Sequence, residues 1–418
     1  MPISLNWWCA MRIGMLMDMY KPNISGITNY VALNKHWLEA RGHKVYVFTF
    51  GNEDYEDDEL YVIRSPGLPL NMNDTGFHLS FRYSQVAQKK LQTMDVVHVH
   101  HAFLSGPLAL RYCKPHGIPI AFTNHTRYDL YAQHYLPPGV PDAVGETFLK
   151  AYLPNFCSQC DLVIAPSAGV AEVMRDIGVN SPISVIPNGI DFAHFANAPA
   201  LTRAEIGLPE DAVILLYVGR LSPEKNLAFL LRAFFGVATA FPQAFLVIIG
   251  GGPEMENLHD QAEHSGLAER VKFFGKVEYT QVPAYMRVAD AFVTASMTEV
   301  HPFSLIEALA AGLPALGVSS PGIADTIVEN ENGFLSTPDI AAFTAKLMRL
   351  VMEPETRKRL GEGARVSAKL YDIDRTAQLM LDEYTRLATD SQHRLTSWQR
   401  FTQNMRRWLG AETEPHSE

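Results

Sequence analysis

The chain is poor in cysteine, has no basic excess and contains no long uncharged apolar run. Four cysteines among 418 residues are too few for a disulfide scaffold. Cys157 and Cys160 form a lone C-x-x-C, and zinc sites of that type need a second pair, which is missing. A net charge of −10 argues against nucleic acid as the main partner. The longest apolar candidate, around "FLLRAFFGVATAF", contains Arg232, so nothing reads as a membrane span. The opening "MPISLNWWCA" lacks a basic segment and a long apolar core and does not read as a signal peptide. Residues 1–10 read as an extension ahead of the first strand. No G-x-G-x-x-G follows that strand, which disfavours a Rossmann dehydrogenase. There is no short-period repeat and no low-complexity tract.

What is present is apolar and periodic. The apolar fraction of 47% is ample for packed cores, and the length suggests two or three domains. "RIGMLMD", "KVYVFTF", "DVVHVH", "PIAFTNH", "DLVIAP" and "ISVIPNG" read as strands with helical patterns mostly between them. The acidic run "GNEDYEDDE" reads as a solvated loop. After "IPNGIDFAHF" the pattern restarts with "AVILLYVGR", "AFLVIIGGG", "RVKFFGK", "DAFVTAS" and "LPALGV". Alternating strands and helices predict parallel sheets covered on both faces. Two doubly wound halves, joined near 190–205, place a ligand cleft between them, beyond the carboxyl ends of the strands.

Five stretches bear chemistry. In "TEVHPFSLIEALAAGLP" Pro302 suits the first position of a helix and Gly312 and Pro314 end it. Glu299 then lies in the preceding loop and Glu307 in the second helical turn. Both can accept hydrogen bonds from hydroxyls, while the amides of Phe303, Ser304 and Leu305 have no partner inside the helix and suit phosphate. A ligand with phosphate in the middle and hydroxyls at both ends, such as a nucleotide sugar, uses all of these groups. The alternative is a solvated loop acid and an ordinary exposed helix residue.

In "YVGRLSPEKNL" Ser222 and Pro223 predict a helix start with Lys225 in its first turn, the wrong end for a cation. An anion bound there, clamped also by Arg220, would relieve the misfit; an ordinary surface Arg and Lys are the alternative. Gly219 precedes them, and Gly251 in "IIGGGPEMENL" lies in a second glycine-rich turn that admits close backbone approach. Gly26 opens the first helix of the N-terminal half and reads either as a ligand approach or as a tight turn. His125 ends a strand of the first sheet, where it can touch a sugar hydroxyl or steady a developing charge. Tyr128, Tyr131, His134 and Tyr135 follow as an aromatic loop of a kind that stacks on sugars or touches lipid. His98, His100 and His101 read as structural or as cleft wall, and Asp372 and Asp374 as helix caps.

Together these stretches resemble the retaining glycosyltransferases of family four, which have the GT-B architecture. The resemblance runs from about residue 12 to 388 and rests most on "GRLSPEKN" and "TEVHPFSLIEALAAGLP", backed by "GGGPE" and "IPNGID". It implies an N-terminal acceptor-binding domain (11–196), a C-terminal nucleotide-sugar domain (197–370), a helix returning to the first domain (371–390) and a basic tail (391–418). It implies that Arg220 and Lys225 hold the diphosphate, that Glu299 contacts the transferred sugar and that Glu307 meets the ribose hydroxyls. Gly26 and the amides around Ser304 and Leu305 would meet phosphate, and His125 would lie beside the sugar. No metal or other cofactor is expected. The family usually carries small residues where this chain has "VHPF".

Within the family, "HTRYDLYAQHYLP" is similar to the acceptor loop of diacylglycerol glucosyltransferases. In the tail, Leu395, Trp398, Phe401, Met405 and Leu409 recur at helical spacing beside Arg394, Arg400, Arg406 and Arg407, the pattern of an interfacial helix; packing on the protein's own surface is the alternative. The expectation is a cytoplasmic enzyme, peripheral on the inner face of the cell membrane, that moves glucose from UDP-glucose to a glycerolipid such as diacylglycerol. A soluble or polyprenyl-linked sugar acceptor, with UDP-glucose or GDP-mannose as donor, is the alternative. A GT-B protein that binds a nucleotide sugar without transferring it is the alternative of another class.

Overall fold

The computed structural model describes residues 10–23, 25–70, 77–128, 130, 142–394, 402, 405 and 406. The first half contains β1 (Arg12–Leu16), β2 (Lys44–Phe50), β3 (Val62–Ser65), β4 (Leu68–Leu70), β5 (Phe77–Leu79), β6 (Val96–Val99), β7 (Ile120–Thr123), β8 (Leu162–Ala165) and β9 (Ile183–Val185). The second contains β10 (Val213–Val218), β11 (Ala244–Ile249), β12 (Val271–Gly275), β13 (Ala291–Thr294), β14 (Ala315–Val318) and β15 (Gly333–Ser336). Seven strands form one sheet in the order β3-β2-β1-β6-β7-β8-β9, and six form another in the order β12-β11-β10-β13-β14-β15. Strands β3 and β15, and the antiparallel ribbon β4–β5, lack the apolar runs by which the other strands are legible.

Burial on both faces explains the near-continuous apolar strands. Along β10, Val213, Leu215 and Tyr217 face one core while Ile214 and Leu216 face another. The first sheet is likewise covered on both sides, with Leu16 in one core and Ile13 and Met15 in the other. That second core is completed from the far end of the chain. Helix Ile373–Arg394 returns to it and contributes Ala377, Met380, Tyr384 and Leu387. Two α/β domains, each built on one parallel sheet, with a C-terminal helix returning to the first, make up the GT-B architecture that the sequence resemblance implies.

The crossing between the halves is hydrogen-bonded. Ile190 N–H donates to Tyr371 O at 2.8 Å, and Ile373 N–H donates to Ile190 O at 2.9 Å. Asp372 caps the returning helix by accepting Asp374 N–H at 3.0 Å. Asp374 accepts from Trp37 Nε1 at 2.7 Å and pairs with Arg41 at 3.0 Å. The Asp-x-Asp pair therefore caps a helix and tethers it to helix Gly26–Glu39.

The acidic run is the loop that its composition predicts, with Glu53, Asp54, Glu56 and Asp58 exposed, but its last three acids are also paired. Asp57 pairs with Arg64 at 2.7 Å, Asp58 with Lys21 at 2.9 Å, and Glu59 with Lys21 and the buried Lys35. Tyr20 donates to Glu59 as well. Lys21 and Lys35 come from distant segments, so nothing local revealed those pairings, while Arg64 lies only seven residues from Asp57. Among the described residues no helix is long and apolar enough to cross a membrane. Of the tail, Arg406 donates to His116 Nδ1 at 3.0 Å, and Met405 is exposed. Leu395, Trp398, Arg400, Phe401, Arg407 and Leu409 lie outside the described residues.

Candidate active site

A cavity of about 620 Å³ opens between the two sheets, within the size range of small-molecule sites. The first domain lines it with Ser25, Gly26, His125 and Asn188. The second lines it with Gly219, Arg220, Lys225, Glu299, Phe303, Ser304, Leu305 and Glu307. Most of the residues singled out from sequence therefore meet in one place.

Helix Phe303–Ala311 starts one residue later than expected, with Pro302 as its cap residue. Pro302 has no N–H, and its carbonyl accepts Ile306 N–H at 3.2 Å. The amides of Phe303, Ser304 and Leu305 thus stand at the cavity wall as the helix's first donors. Glu307 follows on the inner face and is only 5% exposed, which excludes an ordinary surface glutamate. Tyr279 donates to its Oε1 at 2.8 Å. Burial pushes its carboxyl up to about 7, against the opposing effect of that hydrogen bond. Tyr279 lies 28 residues away in sequence, so no local signal marked it.

Lys225 is not in the first turn of an α-helix. Pro223–Lys225 is a single 3-10 turn, and Asn226 follows in the left-handed region at φ 54°. Ser222 does not cap it, because its hydroxyl donates to Glu224 at 2.6 Å. The break at Asn226 delays the α-helix to Leu227. Lys225 reaches Glu299 instead, at 2.7 Å. Arg220 is exposed, and its guanidinium has no hydrogen bond or ion pair among the described residues.

Gly251 sits behind the residues that line the cavity. It does not line the cavity; its carbonyl accepts Leu221 N–H at 3.0 Å, so it supports the Arg220 loop from behind. Its neighbours explain the triple glycine. A Cβ on Gly250 would stand 1.8 Å from Gly219 O, and one on Gly252 would stand 2.2 Å from Leu221 O. The two turns abut backbone to backbone, which only glycine permits. Gly26 serves a close approach across the cleft: a Cβ there would lie 3.0 Å from the Phe303 ring. Ser25 caps the same helix by accepting Thr28 N–H at 3.1 Å.

Tyr128 also departs from expectation. It is 4% exposed and packs edge-on against Phe103, with ring centroids 5.1 Å apart, so its ring is core rather than a stacking surface. Tyr131, His134 and Tyr135 lie outside the described residues.

The unusual "VHPF" has a structural use. His301 Nδ1 accepts Asn188 N–H at 3.2 Å, and its carbonyl accepts Asn188 Nδ2 at 3.1 Å. Its ring packs edge-on against Tyr371. Burial lowers its pKa to about 4, so it is neutral and joins the two domains. Asn188 Oδ1 is buried without a partner among the described residues. On the opposite wall, His125 Nε2 is 3.1 Å from His100 Nδ1.

Two family models match this chain: "Glycosyltransferase Family 4" over residues 24–194 and "Glycosyl transferases group 1" over residues 200–367. The chain is 30% identical over 375 residues to an alpha-monoglucosyldiacylglycerol synthase of Streptococcus pneumoniae, covering 87% of this chain and 82% of that protein. It is also 30% identical over 377 residues to an alpha-monoglucosyldiacylglycerol synthase of Acholeplasma laidlawii, covering 86% and 93%. Among solved structures it is similar to HepE of Anabaena in complex with UDP-glucose, at 20% identity and a TM-score of 0.73, covering 90% of this chain and 100% of that one.

Proposed function

This chain belongs to glycosyltransferase family 4 and is a hexose-transferring enzyme, and on that premise we propose that it moves glucose from UDP-glucose to diacylglycerol with retention of configuration. One observation carries the reading: a single cavity holds Arg220, Lys225 and the first amides of helix Phe303–Ala311 on one wall, with His125 on the other. The donor's diphosphate lies against those amides, where the helix dipole favours negative charge. The nucleoside end lies toward Glu307, whose carboxylate accepts the ribose hydroxyls, and the glucose lies toward Glu299 and His125. Both relatives carry diacylglycerol in their names, which is why the glycerolipid is preferred over a soluble or polyprenyl-linked acceptor.

The chemistry follows from charge. As the bond from the sugar's anomeric carbon to the diphosphate breaks, negative charge grows on the leaving phosphate oxygens. Arg220 and Lys225 are already in place to meet it, so little reorganisation is needed in the transition state. No metal is required for that stabilisation. Lys225 pairs with Glu299. An arriving phosphate shares this ammonium, which leaves Glu299 more available to the sugar hydroxyls. His301 and Pro302 stand where the family carries smaller residues and narrow the space around the sugar.

The test is transfer itself. The protein would be offered UDP-glucose, UDP-galactose and GDP-mannose with diacylglycerol in mixed micelles, and products read by mass spectrometry. Hexosyl-diacylglycerol formed fastest from UDP-glucose is expected. Transfer only to soluble sugars would overturn the acceptor. Tight UDP binding with no turnover on any acceptor would point to a binding protein.

A further inference from the structure

Behind His125 the first domain holds two fully buried histidines, His98 and His100, that the reaction as described does not use. His98 is held at both nitrogens: Nδ1 is 2.6 Å from Tyr384 OH, and Nε2 is 2.7 Å from Thr123 Oγ1. Its ring lies 4.1 Å from that of His100. His100 is fully buried and reaches His125 with Nδ1. Its other nitrogen, Nε2, is buried without a partner among the described residues. Tyr30 stands edge-on to both His100 and His125, at 5.7 and 5.0 Å. His101 lies nearby and accepts Asp18 N–H. Burial lowers the pKa of all four histidines, and at His101 it outweighs the opposing Asp18 carboxylate.

A bond between two neutral imidazoles has one proton and two arrangements. If His125 donated from Nε2, the proton of His100 would sit on its own Nε2. That would leave a buried N–H with no acceptor, the more costly kind of orphan. If His100 donates from Nδ1, the orphan is only a lone pair. His125 then accepts at Nε2 and carries its proton on Nδ1, the nitrogen left for the cavity that His125 lines.

We infer that His100 is a positioning residue that fixes the tautomer of His125, so that His125 offers the substrate an N–H donor and never a base. The partner of that N–H is an oxygen: a sugar hydroxyl or an oxygen gaining negative charge in the transition state. His98 and Tyr30 hold His100 in place through the contacts above. The inference rests on the proposed transfer reaction, because the oxygen it serves belongs to the bound donor.

The test joins a spectroscopic arm to a kinetic one. Long-range ¹H–¹⁵N correlation on protein labelled at histidine should show His125 protonated on Nδ1 and bare on Nε2. His100→Leu should abolish that preference and lower kcat by about 10- to 100-fold, the scale of one positioned proton donor, with UDP affinity within about twofold of wild type. His100→Asn places an amide N–H near the lost Nδ1 and should restore both the tautomer and most of kcat. Finding the wild-type proton on His125 Nε2 would overturn the inference, as would a His100→Leu protein with unchanged tautomer and kcat. A wild-type protein that transfers no sugar would instead remove the proposed reaction, while the spectrum would still decide the tautomer.

Discussion

Glu307→Gln should make the empty protein more stable and the enzyme a worse binder, and the structure supplies both signs. The carboxyl is buried, and its value rises from the ordinary 4.5 to about 7. Between those values the folded protein holds a proton that the unfolded chain has released. Stability therefore falls as pH rises through this range. The cost is absent below 4.5 and complete above 7. At about 1.4 kcal/mol per pH unit, the full span corresponds to about 3 kcal/mol. Glutamine has nearly the same shape, keeps an oxygen for the Tyr279 hydroxyl and carries no such cost. Urea denaturation at pH 8 should show Glu307→Gln more stable by up to about 3 kcal/mol, shrinking to under about 1 kcal/mol at pH 5. UDP titration at pH 8 should show weaker binding, because an amide oxygen accepts ribose hydroxyls less strongly than a carboxylate. Tyr279→Phe removes the bond that restrains the rise and should move the pH-dependent range upward. A stability difference that is the same at pH 5 and pH 8 would refute the reasoning.

Three further outcomes follow from the same site. Arg220→Ala and Lys225→Ala should each lower kcat by roughly 10²–10³-fold, and Lys225→Ala also strands Glu299; near-normal turnover in both would remove the clamp. EDTA should leave transfer intact, since Asp372 and Asp374 are engaged in capping and tethering; activity restored only by Mg²⁺ or Mn²⁺ would contradict that. Deleting residues 391–418 should reduce sedimentation with anionic vesicles, each basic residue near the surface contributing about 1 kcal/mol. Wild-type protein that ignores such vesicles at low salt would leave the tail as surface packing, in line with the contact between Arg406 and His116.

Local rules accounted for much of this molecule. Strands buried on both faces are apolar throughout, so β1, β2 and β10 are legible at sight, and proline before good helix formers marks the start of helix Phe303–Ala311 to within one residue. These signals depend on neighbours within a few residues, and they also place Glu299, Glu307, Arg220 and His125 at strand ends and helix starts, where clefts form. What each side chain touches there is a different matter. Lys225 and Glu299 are 74 positions apart, Tyr279 and Glu307 are 28 apart, and Trp37 and Asp374 are 337 apart. No propensity or spacing links them. They meet because two sheets face each other and the last helix returns to the first. Burial follows from the same packing, so tertiary structure alone decided that Glu307 is an enclosed acid, that Tyr128 belongs to the core and that the Gly251 carbonyl supports the Arg220 loop.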